Sequence, residues 1–354
     1  MAELPESQDA QKLDAEAQKI DAQKVKAGRE AEIRADNLTP QVRRHTWINI
    51  AGPLAAVFLG IAIAAIYLRP IDVLRFIQLS RLGWSGVAQN DLALKDTLIT
   101  YLVTGGYAEQ EPVVMIHGLG PNAALVWRGV MPLVAEAHFK VVAPNLPGFG
   151  SSEHKQVNYS IAYQAQAVAE MIDALKIDKI NLVASDLGAD VALYYAVDHP
   201  DKVERIVLVG GGLAGKRGAD KLRNGMLPTT VEAIRAQAEM SLFDLPPLPE
   251  VIYQRMMAEL AKDMQAETDM LNSVPRDEAH IRSKIGQIFN TLTIIIWGAK
   301  SPFFAGAEGE ALHSALPGSA TVVFKTSGAF PQLEHPDDFS ESLIFVMKQT
   351  EGGR

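Results

Sequence analysis

A chain of 354 residues with a formal charge of −9 is long enough for one large domain plus an extension, and its acidic balance offers nucleic acid no basic surface. It contains no cysteine, which excludes disulfides, thiolate catalysis and cysteine-ligated metal. Its 8 histidines show no His-x-x-x-His spacing, so neither a metal nor a cofactor is expected.

Residues 1–45 form a charged arm, helical or flexible, in which Asp9-Ala-Gln-Lys12, Glu16-Ala-Gln-Lys19 and Asp21-Ala-Gln-Lys24 repeat strong helix formers with interleaved charge. Leu13, Ile20 and Ala27 fall seven apart and offer a weak coiled-coil seam. Residues 46–68 are uncharged and span roughly 34 Å as a helix, enough to cross a bilayer core of about 30 Å. Trp47 and Tyr67 mark its ends, and the run is too long and begins too late for a cleaved signal peptide. A single-pass protein of a bacterial inner membrane is expected. The arginines before it (Arg29, Arg34, Arg43, Arg44) and after it (Arg69, Arg75, Arg81) nearly balance; the expectation is a cytoplasmic N-terminus and a large domain outside the cytoplasm. In 69–86, a juxtamembrane amphipathic segment, Ile71, Leu74, Ile77 and Leu82 share helical spacing. That pattern suits a helix along the headgroups or one packed on the main domain, and both remain open.

Beyond this, strands and helices alternate, which predicts a mostly parallel sheet covered on both faces. Strands are expected at 97–104, 113–116, 140–143, 180–184, 205–209, 293–297 and 320–325. Helices are expected at 124–136, 161–175, 191–197, 306–316 and from Pro336 onward. The alternation breaks between 213 and 290, where helical stretches surround the kink Leu245-Pro-Pro-Leu-Pro249 and Thr229-Thr-Val-Glu232 has capping-box spacing. The division expected is therefore a core of 87–212 and 291–354 with a helical cap of 213–290 over the ligand-binding edge of the sheet.

Four segments carry a family likeness in chain order: His117-Gly-Leu-Gly120, Asn145-Leu-Pro-Gly-Phe-Gly-Ser-Ser152, Trp297-Gly-Ala-Lys-Ser301 and Gly328-Ala-Phe-Pro-Gln-Leu-Glu-His-Pro336. Over roughly Leu92 to Gln349 the chain resembles the α/β-hydrolase superfamily, cap-domain type. The resemblance makes these the oxyanion loop, the Asp-x-x-Gly-x-Gly-x-Ser segment with Asn145 in place of Asp, the strand end that delivers the acid, and the histidine loop.

The nucleophile turn needs small flanking residues. Ala184-Ser-Asp-Leu-Gly188 supplies them around Asp186, whereas a turn centred on Ser185 would have Val183 and Leu187 as flanks. An aspartate here resembles epoxide hydrolases and haloalkane dehalogenases, in which the carboxylate forms an alkyl ester that a histidine-activated water hydrolyses. The resemblance places the oxyanion amides on Leu119 and Leu187. A carboxyl in an apolar pocket without a cationic partner also takes a raised pKa and can hold a cation or a hydrogen-bond donor.

The partners of Asp186 are degenerate. Gly328, Pro331, Glu334 and Pro336 align with the family pattern without a gap, and the histidine position holds Ala329. The acid position holds Ser301, and the alternative site after Val209 reads Gly210-Gly-Gly-Leu213. His335 is expected to pack away from the nucleophile and His117 to be structural; His138, His154, His199, His280 and His313 read as surface residues. Loss of a triad member removes about 10⁴–10⁶ in rate. The expectation is a pseudoenzyme, a membrane-anchored binding or assembly module, with an active hydrolase of lipophilic esters, epoxides or haloalkanes as the alternative. Candidate partners are the bilayer, other membrane proteins and an apolar small molecule between cap and core, not nucleic acid.

Overall fold

The computed structural model of the chain describes residues 18–30, 40–105, 111–120, 122–213, 215–227, 229–239, 248–304 and 306–349, with the backbone alone at 40–50, 238 and 239. The repeats at 9–12 and 16–17, Leu13, Arg34 and the Pro-rich stretch up to 247 lie outside the described residues, as do the side chains of Arg43, Arg44 and Trp47. The chain divides into two units, the second beginning at Ala65. In the first, 18–30 is helical and exposed, and helix α1 (Pro40–Leu68) begins. Its stretch Ala51–Leu68 has a mean hydropathy of 2.2 and is long and apolar enough to cross a membrane.

The second unit is built on an eight-stranded sheet in the order β1-β2-β4-β3-β5-β6-β7-β8. The strands are β1 (Val87–Ala93), β2 (Leu98–Thr104), β3 (Val113–Ile116), β4 (Val141–Pro144), β5 (Ile180–Ser185), β6 (Val203–Val209), β7 (Leu292–Gly298) and β8 (Ala320–Phe324). β1, β2 and β4 pair antiparallel and the remaining neighbours parallel. The inner strands are runs of Val, Ile and Leu because both sheet faces are covered. Along β3, Val114 and Ile116 join the core on one face while Val113 and Met115 join the other. Chain order reverses between β3, β4 and β5, so β5 ends at a switch point, where sheets of this kind open a crevice.

The sequence missed β1. Its residues, Val-Ala-Gln-Asn-Asp-Leu-Ala, are mostly exposed, so they lack an apolar run; backbone pairing with β2 from Val87↔Thr104 to Ala93↔Leu98 makes the strand. The helix expected over 124–136 is two helices, α3 (Ala123–Trp127) and α4 (Val130–Glu136), because the chain turns at Gly129 against Pro336. A Cβ on Gly129 would lie 2.7 Å from the proline ring.

Between β6 and β7 the described residues form helices and no strand: α7 (Gly215–Met226), α8 (Val231–Glu239), α9 (Glu250–Leu260) and α10 (Met264–Lys284), after α5 (Ile161–Ala174) and α6 (Leu187–Asp198) of the core. The cap of α8 is Thr230, whose Oγ1 accepts the Ala233 amide at 3.1 Å, one residue later than the spacing implied. Helix α10 seats this insertion on the core through polar side chains. Ser273 Oγ accepts the Ile161 amide at 2.9 Å and Asp277 accepts that of Ala162 at 3.1 Å, so two of the unsatisfied amides at the start of α5 are met from the insertion.

Helix α2 (Pro70–Trp84) packs on the same unit, burying Ile71, Gln78 and Leu82. Its first-turn amides, Ile71 at 2.9 Å and Asp72 at 3.3 Å, both donate to Glu259 of α9, so a cap residue from another helix stands in for a local one. Phe76, Ile77 and Trp84 are exposed on its remaining surface. Replacing Glu259 with Ala is expected to lower unfolding stability by about 1 kcal/mol, the usual worth of a helix N-cap, measured by urea denaturation of the full chain in detergent.

Candidate functional site

Strand β5 ends at Ser185 and α6 begins at Leu187, so one residue, Asp186, makes the turn. It does so at φ 49° and ψ −125°, a region that costs a non-glycine residue about 1–3 kcal/mol. The surroundings hold it there: the Asp186 amide donates to Val209 O at 2.9 Å, and its carbonyl accepts the Ala189 amide at 3.0 Å. The crowding requires glycine at three places, among them Gly211, where a Cβ would run into the Asp186 carbonyl. A Cβ on Gly188 would lie 2.5 Å from the His117 carbonyl oxygen, and one on Gly118 would lie 2.5 Å from Asp186 Oδ2. The turn is therefore centred on Asp186, and Ser185 is the last strand residue, paired with Val209.

Each carboxyl oxygen of Asp186 takes one backbone amide. Oδ2 accepts from Leu119 at 2.8 Å and Oδ1 accepts from Leu187. The two amides named from the sequence thus both face the side chain at the turn. Burial pushes the Asp186 pKa up to about 7, against the pull of these two amides.

A second carboxyl meets this loop, and it was not read from the sequence. Glu267 of α10 is buried near Gly120, the residue after Leu119, whose amide favours its ionised form. Burial first, then the Asp263 carboxyl and more weakly that of Asp186, pushes its pKa up to about 8. The available signal was one acid within an otherwise apolar helical stripe, since Met270, Leu271 and Val274 lie three, four and seven residues further on and are buried with it. Asp263, one turn earlier, is held by His154 at 2.8 Å. His154 is exposed, as read from the sequence, and its ring meets the insertion through this bond.

The other residues singled out are accounted for by local bonding. Ala329 is half-buried, with its carbonyl 3.2 Å from where a Cβ on Gly210 would stand. Glu334 brackets it by accepting the amides of Gly328 at 2.7 Å and Phe330 at 3.0 Å. Ser301 Oγ accepts the amides of Phe303 at 3.3 Å and Phe304 at 3.2 Å, closing a tight turn. His335 Nε2 lies 3.2 Å from Thr326 Oγ1 and its ring stacks near Phe324, away from Asp186. His117 Nε2 accepts the Leu146 amide at 3.0 Å, which leaves Nδ1 to donate to Gly118 O at 2.8 Å. Burial lowers its pKa to about 4, so it is a neutral support for the loop. Asn145 explains its own departure from Asp: Oδ1 accepts the Ala123 amide at 2.8 Å while Nδ2 donates to Thr100 Oγ1 at 2.6 Å, two opposite bonds from one amide group.

The sequence profile of the α/β-hydrolase fold family matches residues 111–336. The chain belongs to the α/β-hydrolase family. Among its hydrolase-family relatives, an uncharacterized protein of Mycobacterium tuberculosis is 30% identical over 266 residues, covering 68% of this chain and 76% of the relative. A 2-hydroxy-6-oxononadienedioate/2-hydroxy-6-oxononatrienedioate hydrolase of Klebsiella pneumoniae is 27% identical over 250 residues, covering 66% and 86%. The fold is also that of a membrane phospholipase A described as a bacterial virulence factor (TM-score 0.66, 21% identity, 84% of this chain and 98% of that one). It is shared by the haloalkane dehalogenase DbeA of Bradyrhizobium elkani (TM-score 0.58, 20% identity, 74% and 97%).

Buried carboxyls with raised pKa values make stability fall with rising pH, because the folded state holds protons that the unfolded chain has released. For Asp186 and Glu267 this loss runs from their ordinary values near 4 up to about 7 and about 8. His117 works in the opposite sense, but only below its ordinary value of 6.5. Between about pH 6.5 and 8.5 the fall is shared with Asp190, whose pKa burial also pushes up to about 8, and with His154, whose pKa the hydrogen bond to Asp263 raises. The melting temperature is expected to drop across that interval, and Asp186→Asn is expected to flatten the slope, read by calorimetry at matched ionic strength.

Proposed function

We propose that this chain is a hydrolase-fold binding or assembly module, tethered to a membrane by α1, that holds a ligand beneath its cap without histidine-driven turnover. The observation that carries this reading is Ala329 at the position of the family's histidine, within a loop whose register is pinned by Glu334 on either side. The Asp186 carboxyl meets backbone amides, and no imidazole among the described residues bears on it. An ester formed there would lack a histidine to activate water, so one turnover is the limit by the family's route. The tether is supported by the apolar stretch Ala51–Leu68. The exposed Phe76, Ile77 and Trp84 of α2, which starts two residues after that stretch ends, suit the headgroup layer. The N-terminus is assigned to the cytoplasm and the cap-bearing unit to the other side, with other membrane proteins as further partners. The substrates named for the relatives, a phospholipid and a haloalkane among them, favour an apolar ligand for the pocket.

The second reading is an active hydrolase of lipophilic esters, epoxides or haloalkanes with Asp186 as nucleophile and the Leu119 and Leu187 amides as oxyanion donors. The strained backbone at Asp186 favours it, since such strain serves to present a reactive side chain. Incubation with chromogenic esters, epoxides and haloalkanes, followed by intact mass, separates the two. The binding module yields no steady product; continuous release by a clean preparation reverses the assignment. The double variant Ala329→His with Ser301→Asp is expected to raise hydrolysis at least about a hundredfold over wild type, the usual contribution of a placed acid–base group.

A further inference from the structure

Three arginines follow α1 closely: Arg69, Arg75 and Arg81. Arg69 and Arg75 both pair with Asp72, at 2.5 and 3.2 Å, whereas Arg81 makes no ion pair among the described residues. Arg81 is exposed and lines a cavity of about 170 Å³ between α2 and the junction of α3 with α4. Gln78, Leu82, Ser85, Arg128 and Pro132 complete the lining, so two guanidinium groups share one cavity and no acidic side chain lines it. Arg128 is anchored through Nη1 on Leu125 O at 2.5 Å; a guanidinium carries five donors, so an anchored one still binds an anion. Gln78 is 4% exposed, and its side-chain amide makes no hydrogen bond among the described residues.

Helical spacing decides what lies beside this cavity. Ile77 and Trp84 fall four residues before and three after Arg81, so they share its side of α2. Both are exposed, Trp84 at 89%, and Phe76 adjoins them. A polar cavity carrying two like charges thus borders an apolar ridge, on a helix that begins two residues after the apolar stretch Ala51–Leu68 ends. A soluble anion would satisfy the arginines and leave the ridge in water. A zwitterionic lipid would cover the ridge but bring its own cation to two arginines. An anionic phospholipid meets both demands, since its phosphate lies at the depth where arginine and tryptophan side chains settle.

We propose that Arg81 and Arg128, together with Gln78, hold the phosphate of an anionic phospholipid whose acyl chains run against Ile77 and Trp84. This rests on the membrane-tether reading and adds to it a lipid site that the folded unit itself supplies. Planar guanidinium groups match phosphate oxygens in geometry as well as charge, so the site selects by headgroup rather than by hydrophobicity alone.

The test is native mass spectrometry of the full chain released from dodecyl maltoside micelles that carry equimolar phosphatidylglycerol and phosphatidylcholine with the same acyl chains. Phosphatidylglycerol is expected to be retained at least about tenfold over phosphatidylcholine, since each arginine is worth about fivefold against an anionic headgroup. Arg81→Gln is expected to cut that preference about fivefold. Arg69→Gln removes the same charge just before the same helix, outside the cavity, and is expected to leave the preference unchanged. Arg81 is exposed, so its variant is expected to keep the wild-type melting temperature. Inorganic phosphate equimolar with the lipid is expected to displace less than about a tenth of it, because it lacks the acyl contact with the ridge. Equal retention of the two lipids, retention of neither, a preference untouched by Arg81→Gln, an equal loss with Arg69→Gln, or displacement by phosphate each overturns the proposal. The tether is read separately, by washing membranes with alkaline carbonate. Release of the chain into the supernatant overturns the tether reading, whereas a chain that stays in the pellet without lipid preference overturns the site alone.

Discussion

A carboxyl with no cation beside it is tolerated in a protein interior only when backbone dipoles replace the water it has lost, and the loop of residues 118–120 contributes to this for Asp186 through the Leu119 amide. Its amides are available because the loop follows β3 without continuing it, so they have no strand partner. Much of the neighbouring structure keeps that loop in place. His117 is locked between Leu146 and Gly118, Gly118 and Gly188 leave room for Asp186, and α10 buries Glu267 nearby.

The strained turn at Asp186 and the loops at Ala329 and Ser301 are held in the same way. Asp186 keeps a backbone conformation that disfavours any residue but glycine, and the bonds to Val209 and Ala189 hold it there without reference to what its side chain does. The loop around Ala329 is likewise held by Glu334 through main-chain bonds, and Ser301 closes its turn through its hydroxyl. Scaffold and chemistry are thus separable in this hydrolase-fold chain. The geometry needed to present a group persists by packing and main-chain bonding, whether or not histidine and carboxylate stand at the two positions.

How much of this was legible beforehand follows from where each determinant resides. Strands such as Val113–Ile116 and Leu292–Gly298 were readable because a doubly covered strand must be apolar throughout. β1 was not, since it owes its form to pairing across to β2 and its side chains face solvent. The frame of the turn at Asp186 was readable from residue size alone, because Val183 and Leu187 cannot occupy the flanks. Glu267 carried one local mark, an acid within an apolar stripe, but it lies 81 positions from Asp186 in the chain, within the insertion, where helical patterning has no register to the sheet. Where that acid ends up is decided by the docking of α10. The Asp263 partner of His154 was hidden for the same reason, being supplied by the insertion.

The bonds from Glu259 to the start of α2 give the insertion a mechanical attachment at its far side. Helix α9 cannot swing away from the sheet without either stripping two amides of their acceptor or dragging α2 along. One carboxylate therefore decides whether α2 and α9 shift singly or as a pair.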